Sequence, residues 1–213
     1  GKECRACFVA DEGMILVGCD ADALELRDLA GYMAIYDGGA YIETVLKGDK
    51  SKGTDMHTLN AKLIGCSRED AKVFFYAMIY GSGDANLGRI IGKGAAAGKA
   101  ARKRLMKGIP ALGQLVEDIG EKIKKRGYLI GLDGRRLYAR AENAAVNTLL
   151  QSAGAVQMKR GLVILYDRLI ELGWAWGKDF AIVGLIHDEW QANVRLDLAD
   201  QYGVLVWQDF LEA

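Results

Sequence analysis

Met14-Ile-Leu-Val-Gly-Cys-Asp-Ala-Asp-Ala-Leu-Glu25 decides the fold. It reads as strand, turn and helix: a short apolar run of strand length ends on the carboxylate of Asp20, and Asp22 with Glu25 three residues on has the form of a capping box. Far along the chain, Phe180-Ala-Ile-Val-Gly-Leu-Ile186 repeats the pattern as a second buried-strand candidate. It too ends at carboxylates, in His187-Asp188-Glu189, and Trp190 to Val194 offers a returning strand. Carboxylates cost several kcal/mol to desolvate unless they are paired or bound to a cation. Asp20 and Asp188, brought together in one sheet, would therefore form a site for a divalent metal. Hard oxygen ligands favour magnesium or manganese over zinc. The competing reading makes Asp20 a helix cap and Asp188 an ordinary turn residue.

Between the two strands the pattern is helical. Leu24 to Tyr36 closes at Asp37-Gly38-Gly39, and a charged loop runs from Lys47 to Gly53. Ser67 and Asp70 form a second capping box, with Gly81 placed as a helix C-terminus requires. In the helix they bound, Ala71, Phe74, Phe75 and Met78 make a buried stripe, while Arg68, Lys72 and Tyr76 recur at intervals of four on another face. Cations beside a metal site suit a polyphosphate, because both neutralise charge on a transferring phosphoryl group. The competing reading is a solvated helix face.

Ala85 to Val116 contains no acidic residue but seven cations: Arg89, Lys93, Lys99, Arg102, Lys103, Arg104 and Lys107. Either this segment meets nucleic-acid phosphates or it is a solvated basic surface. Leu132-Asp-Gly-Arg-Arg-Leu-Tyr138 predicts a hairpin turned at Asp-Gly, Glu142 to Leu172 a long helix closed by Gly173, and Asp197 the cap of a final helix.

The 213 residues, 51% hydrophobic and 26% charged with one proline, describe a globular chain and exclude collagenous or broadly disordered character. Twenty-eight basic residues balance twenty-eight acidic ones, so any nucleic-acid surface must be local. Cys4, Cys7, Cys19 and Cys66 form no disulfide framework and read as reduced thiols of a cytosolic protein. Cys4 and Cys7 have zinc-like spacing without a second ligand pair, and neither glycine-rich stretch completes a P-loop. No apolar run approaches the ~20 residues that span a bilayer, and the N-terminus lacks the order of a signal peptide.

Three motifs in order resemble the A-family DNA polymerases. Asp20-Ala-Asp-Ala-Leu-Glu25-Leu-Arg27 resembles motif A; Arg68, Lys72, Tyr76 and Tyr80-Gly81 resemble motif B; His187-Asp188-Glu189 resembles motif C. Asn147 to Gly154 and Gly134 to Tyr138 also look like family segments, closest to bacteriophage members. The resemblance covers nearly the whole chain. It implies an α+β fold: a palm, with a small antiparallel sheet and packed helices, from residues 1–27 and 143–213, and mainly helical fingers from 28–142. Asp20 and Asp188 would lie side by side in the palm sheet.

The resemblance further implies template-directed addition of dNTPs to a primer 3′-hydroxyl, with two Mg²⁺ ions (Mn²⁺ as the alternative) held by Asp20, Asp188 and the Ala21 carbonyl. Glu189 would be an accessory acid near the primer end. Arg68, Lys72 and His57 would bind the triphosphate, with Lys72 also placed to protonate the leaving pyrophosphate. Glu25 would block a ribose 2′-hydroxyl, and Tyr76 would weaken discrimination against dideoxynucleotides. Tyr80 would stack near the templating base, while Asn147 and Gln151 face the duplex minor groove and His187 and Arg135 contact DNA. Partners would be primer-template DNA and dNTP, in the cytoplasm, that of a bacterial host if the chain is phage-encoded.

The sequence departs from the family at Asn143, where some relatives carry arginine. The resemblance implies that thumb, exonuclease and last palm strand would lie outside this sequence, as expected of an expressed fragment, of half of a split polymerase completed by a thumb- or exonuclease-bearing chain, or of a relict. A non-catalytic nucleic-acid-binding module of the same shape is the alternative of a different class.

Overall fold

The computed structural model describes residues 6–212. In chain order its strands are β1 (Met14–Asp20), β2 (Leu129–Ile130), β3 (Arg136–Leu137), β4 (Phe180–Ile186) and β5 (Glu189–Arg195). Its α-helices are α1 (Leu24–Asp37), α2 (Ala40–Lys47), α3 (Met56–Ile64), α4 (Arg68–Ile79), α5 (Asp84–Ile90), α6 (Ala95–Gly108), α7 (Pro110–Arg126), α8 (Ala145–Glu171) and α9 (Ala199–Glu212). The chain is α+β, as expected, and forms two compact units: the described residues up to Leu24 with those from Gly154 onward, and Glu25–Ala153.

The first unit is built on an antiparallel sheet of order β1-β5-β4. The two aspartate-bearing strands are thus not neighbours, because β5 lies between them. Cys19, Val17 and Ile15 stand opposite Trp190, Ala192 and Val194. Trp190, Ala192 and Val194 are buried with Phe180, Leu165, Leu169, Tyr202 and Val206, which come from β4, α8 and α9. Alternation then turns Asp20, Gly18 and Leu16 to the other face, opposite Glu189, Gln191 and Asn193. Arg168 of α8 pairs at 2.6 Å with the fully buried Asp209 of α9.

Two expectations need correction here. The apolar run of β4 is not buried throughout: Phe180 is fully covered, but Val183, Leu185 and Ile186 are about half exposed. β4 is an edge strand, and its pairing slips between Ile182 and Gly184, so the run reflects a bulge rather than burial on both faces. Asp197 does not cap α9 either. It lies inside the 3₁₀ turn Leu196–Leu198, where its carboxylate takes the Arg195 guanidinium at 2.6 and 3.1 Å.

In the second unit the helix ends follow local chemistry. Asp55 caps α3 by accepting the His57 and Thr58 N–H groups, and Gly65 ends it at φ +81°. Ser67 accepts the Asp70 N–H at 3.0 Å and donates its hydroxyl to the Asp70 carboxylate at 2.8 Å, which fixes the start of α4. Ala71, Phe74, Phe75 and Met78 of α4 are buried as their spacing predicts. α5 and α6 cross at glycines: a Cβ on Gly98 would stand 2.1 Å from the Asp84 carbonyl oxygen, and one on Gly88 2.2 Å from that of Gly94. The hairpin of β2 and β3 turns at Gly134, φ +79°. α1 begins at Leu24, directly after Ala23 at φ +54°.

Candidate active site

The β1–β5 ladder sets Asp20 directly opposite Glu189, and the Ala21 N–H donates to the Asp188 carbonyl at 2.8 Å. Asp188 occupies the two-residue turn between β4 and β5, which is tight enough to force His187 into the left-handed region at φ +56°. His187, Leu185 and Trp190 line a cavity of about 230 Å³ with Ala155, Met158 and Lys159 of α8. Asp20 is exposed, yet its pKa is raised, first by partial desolvation and then by the negative charges of Asp188, Glu189 and Asp22. A divalent cation would relieve that crowding, and the donors are all hard oxygens. Among the described residues no three His, Cys, Asp or Glu side chains form a ready-made metal cluster. An ion here would rest on two carboxylates, a backbone carbonyl and oxygens from outside the chain.

Within the second unit, the packing of α3 against α4 collects the other candidates. Asp55 grips Arg68 in a bidentate pair, Nε at 3.1 Å and Nη2 at 2.9 Å from the same carboxylate oxygen, with Nε 3.4 Å from the other. Burial opposes ionisation of Asp55, but the hydrogen bonds from Arg68 and Thr58 and the Arg68 charge outweigh it and hold the carboxyl at about 2. His57 stacks obliquely on Tyr76 at 6.2 Å, and Tyr76 stands in the same relation to Tyr80. Burial and the charges of Arg68 and Lys72 push the His57 pKa down against the pull of Asp55. Its Nδ1 is buried without a hydrogen-bond partner among the described residues, while Lys72 is exposed.

Glu25 belongs to this unit. One of its carboxylate oxygens accepts both the Tyr80 hydroxyl at 3.0 Å and the Gln151 side-chain N–H at 2.9 Å. Asn147, one turn before Gln151 on α8, has a buried Oδ1 with no hydrogen-bond partner among the described residues. Arg135 is bound to Asp133 within the hairpin turn and lies 3.4 Å from Ser152 Oγ. The three arginines of the basic segment bond within the helical unit, Arg89 to the Asn86 side-chain oxygen at 2.6 Å. Arg102 bonds the Ser82 carbonyl and pairs with Asp84, and Arg104 caps the end of α3 at the Leu63 and Ile64 carbonyls.

Asp55 carries only a helix-cap signal in the sequence, so its hold on Arg68 escapes sequence reasoning. Asn143 is likewise informative only in place: its amide donates to the Gly81 carbonyl at 2.7 Å. Cys19 and Cys66 are free thiols; Cys4 lies outside the described residues, and with it the Cys4–Cys7 pairing question. No described helix is long and apolar enough to cross a membrane.

A small antiparallel sheet with clustered carboxylates at its tip, joined to a larger helical unit with an Arg-Lys-Tyr helix, is an α+β architecture of polymerase type. The profile of DNA polymerase family A matches residues 1–211. The DNA-directed DNA polymerases of Enterobacteria phage T3 and Escherichia phage T7 are each 36% identical to 92% of the chain, and the match covers 31% of each of those proteins. The thermostable DNA polymerase I of Thermus filiformis is 28% identical over 97% of the chain and 26% of its own length. The chain belongs to DNA polymerase family A and spans about a third of the length of its phage relatives.

Proposed function

We propose that the chain carries the catalytic centre of a template-directed DNA polymerase, adding dNTPs to a primer 3′-hydroxyl, with residues 1–27 and 143–213 as palm and 28–142 as fingers. The observation that carries this reading is the apposition of Asp20 and Glu189 beside Asp188 at one end of the sheet, with Asp20 destabilised as a carboxylate. Two Mg²⁺ ions, when bound, would activate the attacking hydroxyl and stabilise the leaving pyrophosphate. Asp20, Asp188 and the Ala21 carbonyl are the groups to hold them, and Glu189 is the accessory acid beside the primer end.

Arg68, Lys72 and His57 bind the triphosphate. Arg68 is held by Asp55, which orients its remaining N–H groups. Lys72, which is exposed, would reach the β- and γ-phosphates and give a proton to the leaving pyrophosphate. Glu25, tethered by Tyr80 and Gln151, cannot swing aside to admit a ribose 2′-hydroxyl. Tyr76 supplies a phenol toward the sugar, Tyr80 stacks near the templating base, and Asn147 and Gln151 read acceptors shared by all base pairs in the minor groove. His187 and Arg135 contact DNA. The substrates are primer-template DNA and dNTP, a separate thumb- or exonuclease-bearing chain is a partner if the polymerase is split, and the place of action is the cytoplasm, that of a bacterial host if the chain is phage-encoded.

Primer extension with Mg²⁺ and each dNTP, on the full-length protein, tests the reading. Asp20→Asn and Asp188→Asn should each lower extension by on the order of 10²–10³-fold or more while circular dichroism stays that of the parent. Extension retained by either variant defeats the assignment of that residue.

A further inference from the structure

Gln191 sits in the central strand with a glycine directly opposite it on both sides, Gly18 in β1 and Gly184 in β4. Mid-strand glycine weakens a sheet, so two of them flanking one residue call for a cause. Neither backbone supplies it, since both glycines lie outside the positive-φ region. Space does. A Cβ on Gly18 would fall 2.5 Å from the Gln191 side-chain nitrogen and 3.1 Å from its amide carbon, and one on Gly184 would press on Gln191 Cβ at 3.3 Å. The clearance lets the Gln191 side chain lie along the sheet and donate its Nε2–H to Glu189 Oε1, two residues back on the same face.

We infer that Gln191 is a positioning residue for Glu189, and that Gly18 keeps the space in which it works. An unrestrained glutamate samples many rotamers; a hydrogen bond from a neighbouring amide fixes the carboxylate in one of them, beside Asp20 and Asp188. Gln191 touches no reacting atom in this scheme and acts only through Glu189. The inference rests on the polymerase reading above.

The test is single-turnover primer extension by the full-length protein. Gln191→Met, isosteric but without the donor, should lower the rate of the chemical step about ten-fold, as loss of an outer-shell partner does, with dNTP KM unchanged. In a Glu189→Gln background the same change should cost nothing further. Gly18→Ala should reproduce the Gln191→Met loss while the melting temperature holds or rises, because alanine suits a strand better than glycine. In ¹H–¹⁵N spectra of the folded protein, the Gln191 side-chain amide should shift in both Glu189→Gln and Gly18→Ala, a readout independent of activity. A fully active Gln191→Met, additive losses in the double variant, or an unmoved amide resonance overturns the inference alone. A parent that extends no primer removes the polymerase reading and the inference with it.

Discussion

Glu25 shows how one carboxylate oxygen can hold three elements in register. It accepts from Tyr80 at the end of α4 and from Gln151 on α8, and so stays fixed in the first turn of α1. Glu25→Ala should relax sugar discrimination, raising ribonucleotide relative to deoxyribonucleotide incorporation by about ten-fold or more, the scale of one lost steric or polar contact at a binding pocket. Competitive incorporation of the two sugars measures it, and an unchanged ratio removes the role. Asp55 makes a different prediction. Its carboxyl is held at about 2 in the folded chain and reverts to about 3.9 on unfolding, so it stabilises the fold above about pH 4. That contribution falls as pH drops from about 4 to about 2, because the unfolded chain binds the proton first. Melting curves of the parent and Asp55→Asn should therefore converge as pH falls through this range. Arg68 and Lys72 were legible from their spacing. Asp55 was not, because its partner lies across a helix-helix turn that no local pattern records.

Helix boundaries were legible wherever a cap was chemically complete. Ser67 with Asp70 and Gly81 bounded α4 correctly, and the buried stripe between them followed from period alone. The same signal misled at Asp197, where the Arg195 guanidinium took precedence over capping. The apolar run of β4 overstated its burial because periodicity says nothing of whether a strand is central or at the edge. Gly81 is the sharpest test at this scale. It ends α4 at φ +85°, and a Cβ there would lie 2.3 Å from the Asn143 carbonyl oxygen, with Asn143 also donating back to the Gly81 carbonyl. Gly81→Ala therefore incurs both backbone strain and a backbone clash. It should cost more than Ser67→Ala, whose lost cap is worth about 1 kcal/mol, and thermal or urea unfolding of the two variants ranks them.

Across the whole molecule 28 basic residues balance 28 acidic ones, so any affinity for DNA must come from where the charges stand rather than from their sum. The acid-free segment from Ala85 to Val116 was visible in the sequence as one block, but its cations divide into two kinds once folded. Arg102 and Arg104 are bound to carbonyls and to Asp84, within the helical unit. Lys99, Lys103 and Lys107 are exposed on α6 and recur every fourth residue, so they form one stripe along it. Each lysine that meets a phosphate releases a counterion, and the slope of log affinity against log salt steepens by about 0.9 per contact on duplex DNA. Replacing the three lysines with glutamine should flatten that slope by up to about 3 and weaken binding uniformly across sequences, with little change in melting temperature. Arg102→Gln should do the reverse, lowering the melting temperature through the lost Asp84 and Ser82 contacts while leaving the salt slope nearly unchanged. Fluorescence anisotropy of a labelled primer-template over a salt series measures the slopes. If the lysine variant keeps the parent's slope, the stripe is a solvated surface and the phosphate contacts lie elsewhere.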